Sequence, residues 1–318
     1  MRKYCLCLFL FLLCACGRRG GKAVSPEPAV REFPRAAVPS MYTDPSERAA
    51  YAAVHFWDRF TDTTQVFACD SVTVNGVSMQ EVESQMGLFA TLVGQMPLEE
   101  GGEAVARLYD RAEAFERKYP ESNVFEQLSR WTKHYFYDPN SPVRNEDLYW
   151  YYVERLGRSD LLDNGYRMGY EWDARMCRLN RVGTPAADFS FTDTHGRHRT
   201  LYGVKAEYTV LIFGNPGCKA CMEIMEAMEA SPEVTALISS GRLQVVDVYI
   251  DQEIDDWKAH VDEYPKTWIN GYDPGYTIRT DLIYNVRGIP SIYLLDADKT
   301  VLMKDAPQEN VLAALTRL

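Results

Sequence analysis

Residues 208–225, YTVLIFGNPGCKACMEIM, run from an apolar stretch into two cysteines two residues apart and then into a helical pattern. The opening run, YTVLIFGN, has the continuous apolarity of a strand buried on both faces. CKACMEIMEAMEAS then reads as a helix. Cys218 therefore falls at a helix N-terminus, where unpaired N–H groups and the macrodipole favour negative charge. That placement favours the thiolate, which is the reactive form. Cys221 lies one turn further on, close enough to close a small disulfide ring. Cys218 thus reads as the attacking thiolate and Cys221 as the resolving thiol, acting through a mixed disulfide. Lys219 adds a positive charge beside the pair, and Pro216, which has no N–H to donate, stiffens the turn leading into it.

Two other chemistries use such a pair. A zinc site needs two more ligands at metal spacing. No second Cys-x-x-Cys exists, and His195 and His198 fall on a turn of their own, so no metal is expected. Peroxidases of the peroxiredoxin type place Thr three residues before the reactive cysteine, where this chain has Asn215.

Working outward, residues 183–318 mix short strands and helices. VGTPAADFSFTDTHGRHRTLY alternates and turns at Gly196, a hairpin signal. LQVVDVYID (243–251), SIYLLDAD and TVLMKD read as strands, and 254–264 and QENVLAALTRL as helices. This predicts an α/β domain with a mixed central sheet flanked by helices. Residues 46–180 predict an all-α domain, with helices at 46–60, 78–96, 103–119, 121–137, 144–157 and 166–180. Ser46 is the expected cap of the first, and SPVRNEDLYWYYVERL places acids early in its helix, where the macrodipole favours them. The aromatic clusters at Trp131, Tyr135, Phe136, Tyr137 and at Tyr149–Tyr152 read as interhelix core more readily than as a binding groove.

The N-terminus is a targeting segment. Residues 4–15, YCLCLFLFLLCA, follow Arg2 and Lys3 and are too few to span a bilayer, which takes about 20 residues. LCAC (13–16) resembles a bacterial lipobox, which implies cleavage after residue 15 and lipid on Cys16. Gly17 in place of Asp then implies the outer membrane of a Gram-negative cell, facing the periplasm. Residues 16–45, rich in Gly and Pro, read as a flexible tether. The net charge of −11 disfavours nucleic acid as a partner.

YNVRGIPSIYLLDAD (284–298) carries Ile289-Pro290 at the head of an apolar strand, where proline is tolerated. Here the chain resembles the thioredoxin superfamily, in which such a proline holds a cis bond facing the active cysteines. It is most similar to the TlpA-like, ResA-like branch of envelope thiol–disulfide oxidoreductases, through TPAADFSFTDTHG, LIFGNPGCKACMEIM and YNVRGIPSIYLLDADKTVL. The helical part looks like the domain of unknown function that precedes such modules in some bacterial lipoproteins. The resemblance implies catalysis by Cys218, Cys221 and Pro290, with Ile289, Gly217 and Pro216 lining the substrate surface. It implies no cofactor, protein thiols and disulfides as substrates, and an upstream redox partner. Ile289 before the proline points to a reductant. Three departures stand out. Gly217 replaces the usual Trp, Ile212 occupies the place of thioredoxin's buried acid, and Ile224 replaces the glutamate of the ResA-like proteins. Glu223 or Glu226 is left to move the proton. The competing reading is a redox-inactive scaffold lipoprotein whose helical domain captures a partner. Cys69 and Cys177 read as separate thiols, although a bridge between them is open from sequence.

Overall fold

The computed structural model describes residues 30–318. The expected signal segment 1–15 and the expected lipidation site Cys16 lie outside them. Helix α1 (Pro45–Val54) is capped by Asp44, whose Oδ1 accepts from the Ser46 and Glu47 N–H groups at 2.8 and 3.1 Å. The cap thus lies two residues before the expected Ser46, because Pro45 already has the φ of a first helical residue. A hairpin follows, β1 (Thr73–Val74) and β2 (Val77–Ser78), turning on Asn75 and Gly76 at φ 46° and 77°. Helices α2 (Met79–Gly94), α3 (Leu98–Lys118), α4 (Val124–Tyr137), α5 (Glu146–Leu156) and α6 (Asn164–Cys177) close around an aromatic core. Phe60, Phe89, Phe115, Trp131, Phe136, Tyr149 and Tyr152 are all buried in it.

The expected tether, residues 16–45, is corrected in its middle, at residues 31–33. Phe33 is buried and stacks on Phe60 at 5.3 Å and edge-on against Trp57 at 5.5 Å. Arg31 donates from its backbone N–H to Gly76 O and from Nε to Asn75 O. A single aromatic anchor inside a Gly/Pro-rich stretch is enough to dock residues 30–33, and composition averages it away.

The second half opens with the hairpin β3 (Ser190–Asp193) and β4 (His198–Thr200), which carries His195 and His198. There follow β5 (Tyr208–Phe213), α7 (Lys219–Ala230), α8 (Pro232–Ser239), β6 (Leu243–Tyr249), α9 (Ile254–His260) and a 3-10 turn to Glu263. Then come β7 (Ile269–Tyr272), α10 (Thr277–Thr280), β8 (Ser291–Leu295), β9 (Val301–Met303) and α11 (Gln308–Leu315). Ser231-Pro232 divides the helical stretch after the cysteines in two: Ser231 ends α7, and its side chain caps α8 through the Val234 N–H. The sheet order is β4-β3-β7-β6-β5-β8-β9, with β5–β6 and β6–β7 parallel and the other pairs antiparallel. Period-two alternation divides β5 between two cores. Leu211 and Phe213 join Tyr284 and Tyr293 on one face, and Val210 and Ile212 meet α7 and α11 on the other. Both faces are therefore covered, which is why the strand reads as one apolar run. No described helix is long and apolar enough to cross a membrane.

Candidate active site

Strand β5 is buried from Thr209 onward and delivers the chain to the start of α7. Cys218 is the N-cap of that helix, extended at φ −73° and ψ 110°, and its Sγ accepts from the Cys221 N–H at 3.2 Å. Sulfur thus takes the place of the usual capping oxygen and lies among the unpaired N–H groups of the first turn. The two cysteines form a disulfide with Cα atoms 5.2 Å apart. Cys218 is half-buried and Cys221 only 5% exposed, so one sulfur faces incoming groups and the other lies behind it. Gly217 has φ +68° and no atom within 4 Å of where a Cβ would stand. The turn here requires a left-handed residue, and glycine supplies it without strain. It also places no side chain beside Cys218 at this position, where the resemblance implies a Trp. Asn215 ties the turn down, donating from Nδ2 to Asp251 Oδ2 at 2.7 Å, while Arg279 holds the other oxygen of Asp251.

Opposite the cysteines, the Ile289–Pro290 bond is cis and the Ile289 carbonyl oxygen stands 3.9 Å from Cys218 Sγ. The helical half reaches this loop directly. A Cβ on Gly288 would come within 2.8 Å of Pro139 Cβ, so only glycine lets the two loops touch. Pro139, Asn140 and Pro142 wall one side of a cleft of about 510 Å³, and Ala220, Glu223 and Ile289 line the other.

Behind the proline lies a buried charge network. Ser291 Oγ donates to Asp305 Oδ1 at 2.8 Å, and Arg287 Nη2 to Asp305 Oδ2 at 2.6 Å. Arg287 Nε and Asn285 Nδ2 both donate to Glu146 Oε1, at 2.6 and 2.8 Å. Lys304 Nζ stands 2.8 Å from Glu146 Oε2, a charge contact too poorly aligned for a hydrogen bond. Burial pushes the Asp305 carboxyl above its ordinary range, with the Arg287 guanidinium opposing.

A family model described as a domain of unknown function (DUF5106) matches residues 16–178. The chain belongs to the DUF5106 family. A thioredoxin-like protein from Bacteroides caccae is similar over both halves, at 32% identity and a TM-score of 0.78, covering 91% of this chain and 99% of that one. The C-terminal domain of an uncharacterized Bacteroides fragilis protein is 44% identical over 43% of this chain and 97% of its own, with a TM-score of 0.42. A domain of a possible thiol-disulfide isomerase from Cytophaga hutchinsonii is 25% identical over 44% of this chain and 94% of its own, with a TM-score of 0.39. No curated protein matches. The DUF5106 chain thus joins a helical domain to a thioredoxin-like domain, whose mixed sheet is flanked by helices.

In this DUF5106 protein the fold brings Pro216, Gly217, Cys218, Cys221, Ile289 and Pro290 to one place. Glu223 is close by but half-exposed, 3.3 Å from the still more solvated Lys219. Cys69 and Cys177 are both free; Cys177 is buried, and burial pushes its thiol well above the usual range.

The acid that sequence reasoning missed is Asp247. Strands β5 and β6 pair in parallel with Ile212 opposite Asp247. The carboxylate therefore stands one strand away from the position where thioredoxin carries its acid. It is 2% exposed, Oδ1 has no partner, and burial pushes the carboxyl up to about 7. A Cβ on Gly214 would lie 2.8 Å from Oδ2, so the acid sits directly against the turn that leads to Cys218. The only sequence signal is one acid inside the apolar LQVVDVYI; cross-strand register is not written there.

Between about pH 4 and 7 the native carboxyl of Asp247 keeps a proton that the unfolded chain has lost. Stability is expected to fall as pH rises through this window, by roughly 4 kcal/mol at most. Asp247→Asn is expected to remove that slope. Urea unfolding at pH 5 and pH 8 measures it, and equal slopes in the two proteins would refute the assignment.

Proposed function

We propose that the chain is a thiol–disulfide oxidoreductase of the cell envelope, of the TlpA-like, ResA-like kind, acting as a reductant. In this reading it is lipid-anchored through Cys16 at the periplasmic face of the outer membrane. The observation that carries the reading is the half-buried Cys218 at the N-terminus of α7, bridged to Cys221 and 3.9 Å from the Ile289 carbonyl of a cis-proline loop. The similarity over both halves to a solved Bacteroides caccae structure described as a thioredoxin-like protein supports it.

In the reduced protein the Cys218 thiolate attacks one sulfur of a substrate disulfide. A Cys218–substrate bond forms and the second substrate sulfur leaves as a thiolate. Cys221 gives up its proton and attacks Cys218 Sγ, which releases the remaining substrate thiolate and leaves the disulfide. Two electrons have then passed to the substrate, and an external dithiol partner must restore them. Asp247, held near neutrality beside the turn, is assigned the proton of Cys221.

Insulin reduction by dithiothreitol tests the reading. Catalytic amounts of the protein are expected to shorten the lag before the insulin B chain precipitates several-fold. A time course indistinguishable from dithiothreitol alone would overturn it.

A further inference from the structure

The redox cleft does not end at the cis-proline loop. Pro139, Asn140 and Arg287 also border a second and larger space, of about 1040 Å³, on the flank of the helical half. Its far side is formed by Phe125 of α4, by Leu162, and by Tyr166 and Tyr170 of α6. Those walls are mostly apolar, and its volume is that of a site for a small molecule or a few side chains. Tyr166 is 69% exposed at the groove's rim.

Arg287 sits where the two spaces meet. Its side chain is 10% exposed and stacks over the Tyr137 ring at 4.2 Å. Nε is bound to Glu146 and Nη2 to Asp305, but Nη1 is buried without a partner.

We propose that this groove holds an extended apolar segment of the same polypeptide whose disulfide Cys218 attacks, so that the helical half selects the substrate. The proposal rests on the redox reading above. The cleft begins beside the cysteines, at Ala220 and at Ile289, whose carbonyl oxygen is 3.9 Å from Cys218 Sγ, so a polypeptide whose cysteine lies at Cys218 can extend into it. The shared residues make the groove the apolar continuation of that path, and the proline loop offers it a backbone edge. Aromatic and aliphatic residues near the target cysteine are the chemistry the groove fits.

The test uses the full chain and three probes. The first is a ten-residue peptide with Phe and Leu around one cysteine, held as a mixed disulfide with thionitrobenzoate. The second has Ser in place of Phe and Leu, and the third is glutathione disulfide. Attack on the peptide sulfur releases coloured thionitrobenzoate, and Cys221 then displaces the peptide thiol. The apolar peptide is expected to react at least tenfold faster than the Ser peptide. Tyr166→Ala is expected to cut that ratio about tenfold, whereas Trp172→Ala, on α6 outside the groove, is expected to leave it intact. Equal rates for the two peptides, or a ratio unmoved by Tyr166→Ala, would overturn the docking proposal while glutathione disulfide still reacts. Failure of all three probes would overturn the redox reading and the proposal with it. Self-association that is lost in Tyr166→Ala would assign the groove to a second copy instead and refute the proposal.

Discussion

Cys221→Ala will trap substrates. Incubated in reduced form with a disulfide-bonded protein, the variant is expected to accumulate a covalent adduct approaching one per chain, stable until a thiol is added. Turnover is expected to fall to the uncatalysed rate. The reason is positional. Cys218 caps α7, is half-buried rather than enclosed, and has its sulfur among the first-turn N–H groups that favour a thiolate, so it is expected to attack equally well without its neighbour. Cys221 is the buried sulfur that completes the exchange, and nothing else among the described residues can replace it, since Cys69 and Cys177 lie in the helical half and Cys177 is buried there. Cys218→Ala is expected to form no adduct at all. Non-reducing electrophoresis and intact mass distinguish the two outcomes. An adduct on Cys221 in the Cys218→Ala protein would invert the assigned roles.

Glu146→Ala is expected to destabilise the protein by ~3–5 kcal/mol, the usual result of breaking a buried ion pair from one side. Glu146 lies in the helical half, 2% exposed, and its partners Asn285, Arg287 and Lys304 all lie in the thioredoxin-like half. Truncation leaves Lys304 with no buried carboxylate and Arg287 with only Asp305. At about 2 °C per kcal/mol, the lower end for a chain of this size, Tm should fall by roughly 6–10 °C. The double variant Glu146→Leu, Lys304→Met removes both charges and should recover much of the loss, because a well-packed apolar pair does not need compensation. Calorimetry of the three proteins measures this. A change below 1 kcal/mol in Glu146→Ala would mean that the network contributes little to holding the halves together.

The same residue shows where a sequence can be read and where it cannot. The Cys-x-x-Cys at a strand-to-helix junction, the alternation around Gly196 and the apolar strands are local patterns, and they place the site. Glu146 and Asp147 also have a correct local reading as early acids of a helix, yet both are buried. Asp147 accepts from Arg181 Nε and from the Val182 N–H, residues more than thirty positions away. Asn145 does the local work by capping α5 through the Leu148 N–H. Nothing within the helix distinguishes an acid held by the macrodipole from one reserved for Lys304. Asp247 fails to show for a related reason, since its meaning comes from lying opposite Ile212. The β1–β2 hairpin is different: Asn75-Gly76 is a strong turn signal, overlooked amid helical periodicity.

The pairing of Glu146 with Lys304 has a bearing on how the chain is completed during synthesis. Residue 146 emerges first, and its counter-charge follows 158 residues later. A chain cut between residues 287 and 304 carries every helix of the first domain with Cys218 and Cys221, and Glu146 keeps Asn285 and Arg287 on Oε1, but Oε2 has lost its ammonium. Such a fragment holds the reactive pair without Asp305, the acceptor of Ser291 Oγ, and is expected to be cut by proteases faster than the intact fold.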